Sequence, residues 1–376
     1  MDINIYSFFS GAGFLDLGFE KEGYNIVYVN EYNKSFLEAY KYARKQMEIS
    51  PPKHGYYCGD INDLLKGKLK KSLLEHISCE KKKDLVGFIG GPPCPDFSVA
   101  GKNEGITGTH GKLTTSYKRA ILLYEPDFFV FENVKGLWST KKHKEEYKKI
   151  KKSLSAKGYI LIDKLVNALE YGVPQERERV ILFGIKYDLI SSDRAQARSI
   201  LLNTFSWGNN VQLTLDAIAD CDWPTVATFS EDSKIDTPQN IIQELTVEHW
   251  FIQNDVYNHP NSRNYFVPHS QTRFDTILEG DVSRKSFKRL HRWRYSPTAA
   301  YGNNEVHLHP YKKRRLSVAE ALAIQSLPKE YELPPSMTKS EMFKTVGNGV
   351  PYLLSKGIAS GIRAFLFNEV EKKEVK

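Results

Sequence analysis

Strand-like and helix-like segments alternate over short links through the first half of the chain, and this alternation restricts the fold more than any other feature. Residues 3–9 form an apolar, β-rich run, followed by the turn Ser10-Gly11-Ala12-Gly13 and a helical pattern over 14–22 that Gly23 closes as a C-cap. A second strand is expected over 25–30 and a second helix over 34–46. A short third strand ends near Cys58, a fourth covers 85–89, a helix covers 115–124 and a fifth strand covers 127–131. Repeated strand, turn and helix predicts an α/β fold, with a parallel sheet covered by helices on both faces.

From about residue 186 the pattern changes. Residues 186–310 are polar and irregular, rich in Asn, Asp, Ser, Arg and His, and helical periodicity returns only at Leu316, with a stop at Pro328 and another helix after Pro351. Two units are therefore expected: residues 1–185 together with 315–376, and a smaller irregular unit over 186–314 whose loops do the contacting. The last residues, EVEKKEVK, read as a frayed charged tail.

Several classes are disfavoured. No apolar run approaches the roughly 20 residues of a membrane helix, and MDINIYSFF has no basic region ahead of an apolar one, so neither a membrane partner nor a signal peptide is expected. Cys58, Cys79, Cys94 and Cys221 are scattered without a C-x-x-C pair or zinc spacing, which predicts no structural metal and a reduced, cytoplasmic setting.

The net charge of +8 tilts the expectation toward a polyanionic partner. Residues 140–152 alternate charge around Tyr147 and Ile150, as a solvated helix face does. In residues 284–294, Phe287, Leu290, His291 and Trp293 interleave with Arg284, Arg289, Arg292 and other basic residues. Such a mixture suits a nucleic-acid surface, with Arg284, Arg289 and Arg292 on phosphates. An amphipathic element that packs its aromatics inward has the same signature.

Phe9-Ser10-Gly11-Ala12-Gly13 is a glycine turn between a first strand and a helix, where backbone can approach a ligand closely. Glu31 follows the second strand, where nucleotide-binding sheets place a carboxylate on ribose hydroxyls. Asp60 follows the third strand, suitably placed for an adenine amino group. Together these positions fit an adenosine-bearing cofactor; surface acids at strand ends are the bland alternative for either one alone.

In Gly90-Gly91-Pro92-Pro93-Cys94, two prolines fix the chain so that one thiol projects from the C-terminal end of a strand. The polar, glycine-rich stretch that follows, residues 99–113, reads as a mobile lid. Glu132 ends an apolar strand, where low-dielectric walls raise a carboxyl pKa, as a proton donor requires. Alternation at period two puts Gln175, Arg177 and Arg179 on one face, which offers fork donors to a base and phosphates.

The chain resembles the bacterial DNA cytosine-5 methyltransferases of restriction-modification systems. Phe9-Ser10-Gly11-Ala12-Gly13, Pro93-Cys94, Glu132-Asn133-Val134, Gln175-Glu176-Arg177-Glu178-Arg179, residues 315–320 (RLSVAE) and residues 347–351 (GNGVP) occur in that family's order. Two positions depart from it: Pro95 stands where glutamine is usual after the cysteine, and Phe14 where a third glycine is frequent. The resemblance implies a Rossmann-like, S-adenosylmethionine-dependent methyltransferase sheet with a smaller target-recognition domain. Its substrate would be double-stranded DNA, and the protein would act as a monomer apart from any cognate restriction endonuclease. The resemblance also implies that Cys94 is the nucleophile, that Glu132 contacts cytosine N3, and that Arg177 and Arg179 complete the catalytic set. Phe9, Gly11, Gly13, Glu31, Tyr32, Asp60, Ile61 and Asn348 would hold the cofactor, with Tyr32 on the adenine. Ser98 and Lys102 would join Arg284, Arg289 and Arg292 on the DNA. A transfer-RNA cytosine methyltransferase shares the fold and nucleophile, but the long second unit favours a duplex reader. A dinucleotide oxidoreductase would share only the glycine turn and Glu31, and a catalytically dead DNA-binding relative would not need to keep Cys94 and Glu132.

Overall fold

The computed structural model describes residues 2–93, 111–208, 213–267, 272–284, 286–299, 301 and 307–370. The catalytic-side elements begin with β1 (Ile3–Phe8), α1 (Phe14–Lys21), β2 (Asn25–Glu31), α2 (Lys34–Gln46), β3 (Tyr56–Cys58), α3 (Ile61–Leu64) and α4 (Gly67–Glu80). They continue through β4 (Leu85–Gly90), α5 (Gly111–Tyr124), β5 (Phe128–Val134), α6 (Gly136–Ser139), α7 (Lys141–Ala156), β6 (Tyr159–Asn167) and β7 (Glu178–Lys186). After these come α8 (Arg194–Thr204), α9 (Leu215–Ala219), α10 (Val247–Gln253), α11 (Thr272–Thr276) and the two-residue strands β8 (Lys288–Arg289) and β9 (His307–Leu308). Helices α12 (Val318–Ile324), α13 (Lys339–Asn348) and α14 (Tyr352–Glu369) end the fold.

Strands β1 to β7 make one seven-stranded sheet in the order β3-β2-β1-β4-β5-β7-β6. Every pairing from β3 to β5 is parallel, and β7 runs antiparallel to both β5 and β6. All residues of β1 and β4 are buried, as expected where helices cover both faces. On one face Phe19 of α1, Leu201 of α8 and Phe365 of α14 pack against Ile5, Phe128 and Phe183. On the other, Ile77, Ile121 and Leu154 of α4, α5 and α7 pack against Phe8, Val86 and Phe131. The charge-alternating helix α7 holds on through Tyr147, Ile150 and Leu154, each at most 4% exposed, and burying each contributes roughly 1.5–3 kcal/mol. Strand order reverses beside β1, so a crevice opens where β1 and β4 end, and both chemical motifs start there.

Packing onto the sheet continues past residue 186. Ile190, Ala197 and Leu201, expected with the irregular region, pack instead into the same core as Phe183 and Phe365. Between α8 and α12 the described residues form only short elements, around small apolar groups such as Phe274, Ile277 and Leu308.

Buried guanidinium groups organise this region, which corrects one reading of residues 284–294. Arg289 is fully buried; it donates to the carbonyls of Phe274, Ile277 (2.9 Å) and His309 (2.7 Å) and lies 3.6 Å over the Phe229 ring. Arg292 is also buried, and its Nε and Nη2 donate to the two carboxylate oxygens of Glu279 at 2.8 Å each. Neither is presented to a phosphate, because a region with so little apolar core uses them as hubs for otherwise unpaired carbonyls. The alternative of an amphipathic element with its aromatics packed inward accounts for buried Leu290 and His291 but not for the two buried arginines, whereas the Arg284 side chain is 61% exposed.

Candidate active site

The glycine turn leaves β1 through Phe9, whose φ of +54° lies in the left-handed region, and continues through Gly11 and Gly13 at +56° and +83°. A Cβ on Gly13 would stand 2.4 Å from the Tyr40 ring, so only glycine fits there. Arg44, stacked on Tyr40, supports the turn from below by donating to the Gly13 carbonyl at 2.7 Å. Its Nε lies 2.9 Å from Glu20. Nothing in the motif pattern signals this support, since an arginine in an amphipathic helix reads as a surface residue.

Glu31, at the end of β2, is 9% exposed and holds the turn from the side. Its Oε2 accepts from Gly11 N at 2.8 Å and its Oε1 from Asn33 N at 2.7 Å. Burial pushes its carboxyl above the ordinary value while these backbone donors pull it back. Each oxygen keeps a second lone pair for a hydroxyl. Tyr32 beside it is 75% exposed, an unusual placement for a large ring. Asp60 caps α3 by accepting from Asn62 N at 2.8 Å, and Ile61 buries its side chain in the core, leaving its backbone at the crevice end of the helix. Asn348 is exposed at the end of α13, next to Gly349, where a Cβ would stand 2.1 Å from Phe14 at the start of α1.

These groups fit an adenosine-bearing methyl donor. A Cβ built on Gly11 meets nothing within 4 Å, and the Ser10 hydroxyl is buried without a hydrogen-bond partner among the described residues. The turn thus presents open space and an unused donor beside a carboxylate and an exposed ring.

The second cluster sits at the ends of β4 and β5. Glu132 is 8% exposed, and its Oε1 lies 2.9 Å from Arg179 Nε. The register pairs Arg179 with Val134 and Ile181 with Glu132, so the two charged residues are diagonal neighbours on one face of an antiparallel pair. Burial raises the Glu132 carboxyl above its ordinary value, opposed by Arg179 and then Arg177. A Cβ on Gly91 would stand 2.6 Å from Glu132 Oε2, so the glycine makes room for the carboxyl. Asn133 Nδ2 donates to Pro92 O at 3.4 Å, fixing the start of the loop that leads through Pro93 to Cys94. Cys94, Ser98 and Lys102 lie outside the described residues, as do residues 99–110 of the expected lid. Residues 111–113 form the first turn of α5.

Arg177 departs from expectation. It is 1% exposed and turned away from Glu132, donating to the carbonyls of Ala299 (3.0 Å), Gly347 (2.8 Å) and Gly349 (3.0 Å). The period-two argument ran past the end of the strand, because β7 begins only at Glu178.

Among the described residues no group of three or more His, Cys, Asp and Glu is placed to hold a metal, and no helix is long and apolar enough to cross a membrane.

A sheet of this order with one reversed strand, ending in a glycine turn and an acidic cradle, defines an S-adenosylmethionine-dependent methyltransferase. The chain belongs to the C-5 cytosine-specific DNA methylases, whose sequence pattern matches residues 3–364. It is 54% identical over 370 residues to the Type II methyltransferase M.NmeDI of Neisseria meningitidis serogroup C, covering 98% of this chain and 85% of that protein. It is 30% identical over 385 residues to the Type II methyltransferase M.MthTI of Methanothermobacter thermautotrophicus, covering 96% of this chain and 98% of that one. Among solved structures, the methyltransferase EhMeth of Entamoeba histolytica shares the fold at a TM-score of 0.60 and 14% identity, covering 98% of this chain and 99% of that one.

Proposed function

We propose that this protein methylates carbon 5 of cytosine at a specific sequence in duplex DNA, as the modification enzyme of a Type II system, with Cys94 as nucleophile. The observation that carries the mechanism is the buried Glu132–Arg179 pair facing Gly91, on the strand next to the one that leads into Cys94. S-adenosylmethionine supplies, when bound, an electrophilic methyl group on a sulfonium. The Glu31 carboxylate and the backbone of the glycine turn would hold it, with Tyr32 and Asn348 completing the site.

C5 of cytosine is a poor nucleophile, so the protein must activate the ring. The Cys94 thiolate adds to C6 while Glu132 donates its proton to N3, and the electron pair arrives at C5 as an enamine. Arg179 fixes the Glu132 carboxyl toward the base and stays charged throughout. Once C5 carries the methyl group, the C5 proton leaves to solvent, its electron pair expels Cys94 as thiolate, and N3 returns its proton to Glu132, which restores the neutral aromatic ring. None of these atoms is reachable within a stacked duplex, so the base must be flipped out, at a cost of a few kcal/mol. The irregular region between α8 and α12 is assigned to reading the sequence, with exposed Arg284 on the backbone.

The test is methyl transfer from labelled S-adenosylmethionine to duplex DNA and to transfer RNA in parallel. Incorporation into duplex cytosine is expected. Incorporation into transfer RNA alone would replace this reading with the RNA one.

A further inference from the structure

The residues just ahead of β7 are clipped to the end of the irregular region. Ser296 N donates to Pro174 O and Glu176 N donates to Ser296 O, both at 2.9 Å. Thr298 Oγ1 donates to Glu176 O at 2.6 Å, and Ala299 N donates to the buried Gln175 Oε1 at 3.0 Å. Arg177 closes the clip from inside through the Ala299 carbonyl and also holds the carbonyls on both sides of Asn348. Two residues further along the chain, inside β7, Arg179 holds Glu132.

We propose that Arg177 is a positioning residue that couples sequence recognition to catalysis, by setting the register of Arg179 and Glu132 according to how residues 296–299 are seated. This rests on the methylation reading above. Three segments meet at one guanidinium just ahead of β7: the exit of the recognition region through the Ala299 carbonyl, the Gly347–Gly349 stretch and the Gln175 side chain. The contacts on the far side are close. A Cβ on Gly347 would stand 3.0 Å from Tyr301 N, and one on Gly349 would meet Phe14 beside the glycine turn. A shift of 296–299 therefore cannot be absorbed by a gap; it passes into β7, which is held on both edges by β5 and β6.

The choice of side chain supports this role. Packing alone would be served better by an apolar residue of similar volume, because burying a guanidinium carries a desolvation cost. Arg177 is held by no carboxylate contact of its own among the described residues, only by carbonyls and Gln175, and its Nε is unpartnered there. The fork geometry is what joins the segments, and lysine cannot reproduce it.

The test compares Arg177→Lys and Thr298→Val with the wild type. Thr298 is exposed, so its substitution removes one outer bond of the clip without disturbing the core. The methylated sequence is first found by sequencing modified cytosines in DNA from cells that express the wild-type protein. kcat/KM is then measured on that duplex and on duplexes changed at one base pair, with S-adenosylmethionine affinity and thermal melting as controls. Coupling predicts that the ratio of cognate to altered-site kcat/KM falls about 10-fold in Arg177→Lys, and about 3-fold in Thr298→Val, with cofactor affinity unchanged in Thr298→Val, which touches no residue of the cofactor site. A merely structural role would lower melting temperature and activity uniformly. Ratios within about two-fold of wild type in the folded variants overturn the proposal, and Thr298→Val alone decides if Arg177→Lys does not fold. A wild type inactive on duplex DNA overturns the underlying reading instead, and the coupling with it.

Discussion

Arg179 Nε and Glu132 Oε1 stand 2.9 Å apart across two antiparallel strands, both side chains about 90% buried, and this pair sets the acid–base character of the site. An isolated carboxyl at that depth would be neutral, while one fully compensated by arginine would be ionised. Glu132 lies between, with burial as the larger influence, so its carboxyl is held above the ordinary carboxylate value and is a better proton holder than an exposed glutamate.

Glu132→Gln keeps the shape and an acceptor for Arg179 but removes the transferable proton. The turnover number should fall by about 10²–10⁴, with much smaller changes in DNA and cofactor affinity. Because the protonated form is the active one, the wild-type single-turnover rate should decline as pH rises through the raised Glu132 pKa, and the variant should lose that limb. Rapid-quench measurements across pH check both; a variant within ten-fold of wild type would remove Glu132 as proton donor.

Glu31 ties Gly11 and Asn33 and keeps acceptor capacity beyond these two bonds. Glu31→Ala should weaken S-adenosylmethionine binding by roughly 1–3 kcal/mol, through lost charge-assisted hydrogen bonds and a loosened turn. Glu31→Gln keeps one acceptor and should lose less. Calorimetry giving wild-type affinity for a folded alanine variant would take Glu31 out of the cofactor site.

The arginines of residues 284–294 should separate into two kinds. Arg292→Ala leaves Glu279 buried and unpaired, which should cost about 3–5 kcal/mol in urea unfolding. Arg284→Ala should leave stability within about 0.5 kcal/mol and reduce the slope of log affinity against log salt by about one for DNA of any sequence. A stable Arg292→Ala protein with a flattened salt dependence would restore the phosphate-contacting role that the buried geometry denies it.

What the sequence made legible follows from what periodicity can carry. The helix expected over 34–46 coincides with α2, whose first turn Asn33 caps at Ser35 and Phe36. Strands β1, β2 and β4 are apolar runs bounded by turns, and the chemical motifs stand at their ends. The direction of β7 was not legible, since alternation is the same for parallel and antiparallel strands. Arg177, Arg289 and Arg44 were misplaced or missed for one reason: a single sequence does not show which cations are buried on carbonyls. That α8 packs into the sheet core was not legible either, because its composition matches the region that follows.

Cys94 carries the sharpest prediction. It follows two prolines at the end of β4, beside the strand that holds Glu132, so its thiolate is assigned to C6 of a flipped cytosine. Release of the enzyme requires the C5 substituent to depart as a cation, leaving its electron pair to reform the ring double bond and expel sulfur. Hydrogen departs this way and fluorine does not. Duplex DNA with 5-fluorocytosine at the target position should therefore trap a covalent protein–DNA adduct in an S-adenosylmethionine-dependent manner, and mass spectrometry should locate it on the Cys94 peptide. Cys94→Ala should abolish adduct and turnover while keeping the fold and much of the DNA affinity, since backbone contacts are made elsewhere. Cys58, Cys79 and Cys221 serve as internal controls, because none lies at the end of β4. An active enzyme whose adduct maps to one of those three, or a Cys94→Ala protein that still methylates, would overturn the assignment of the nucleophile.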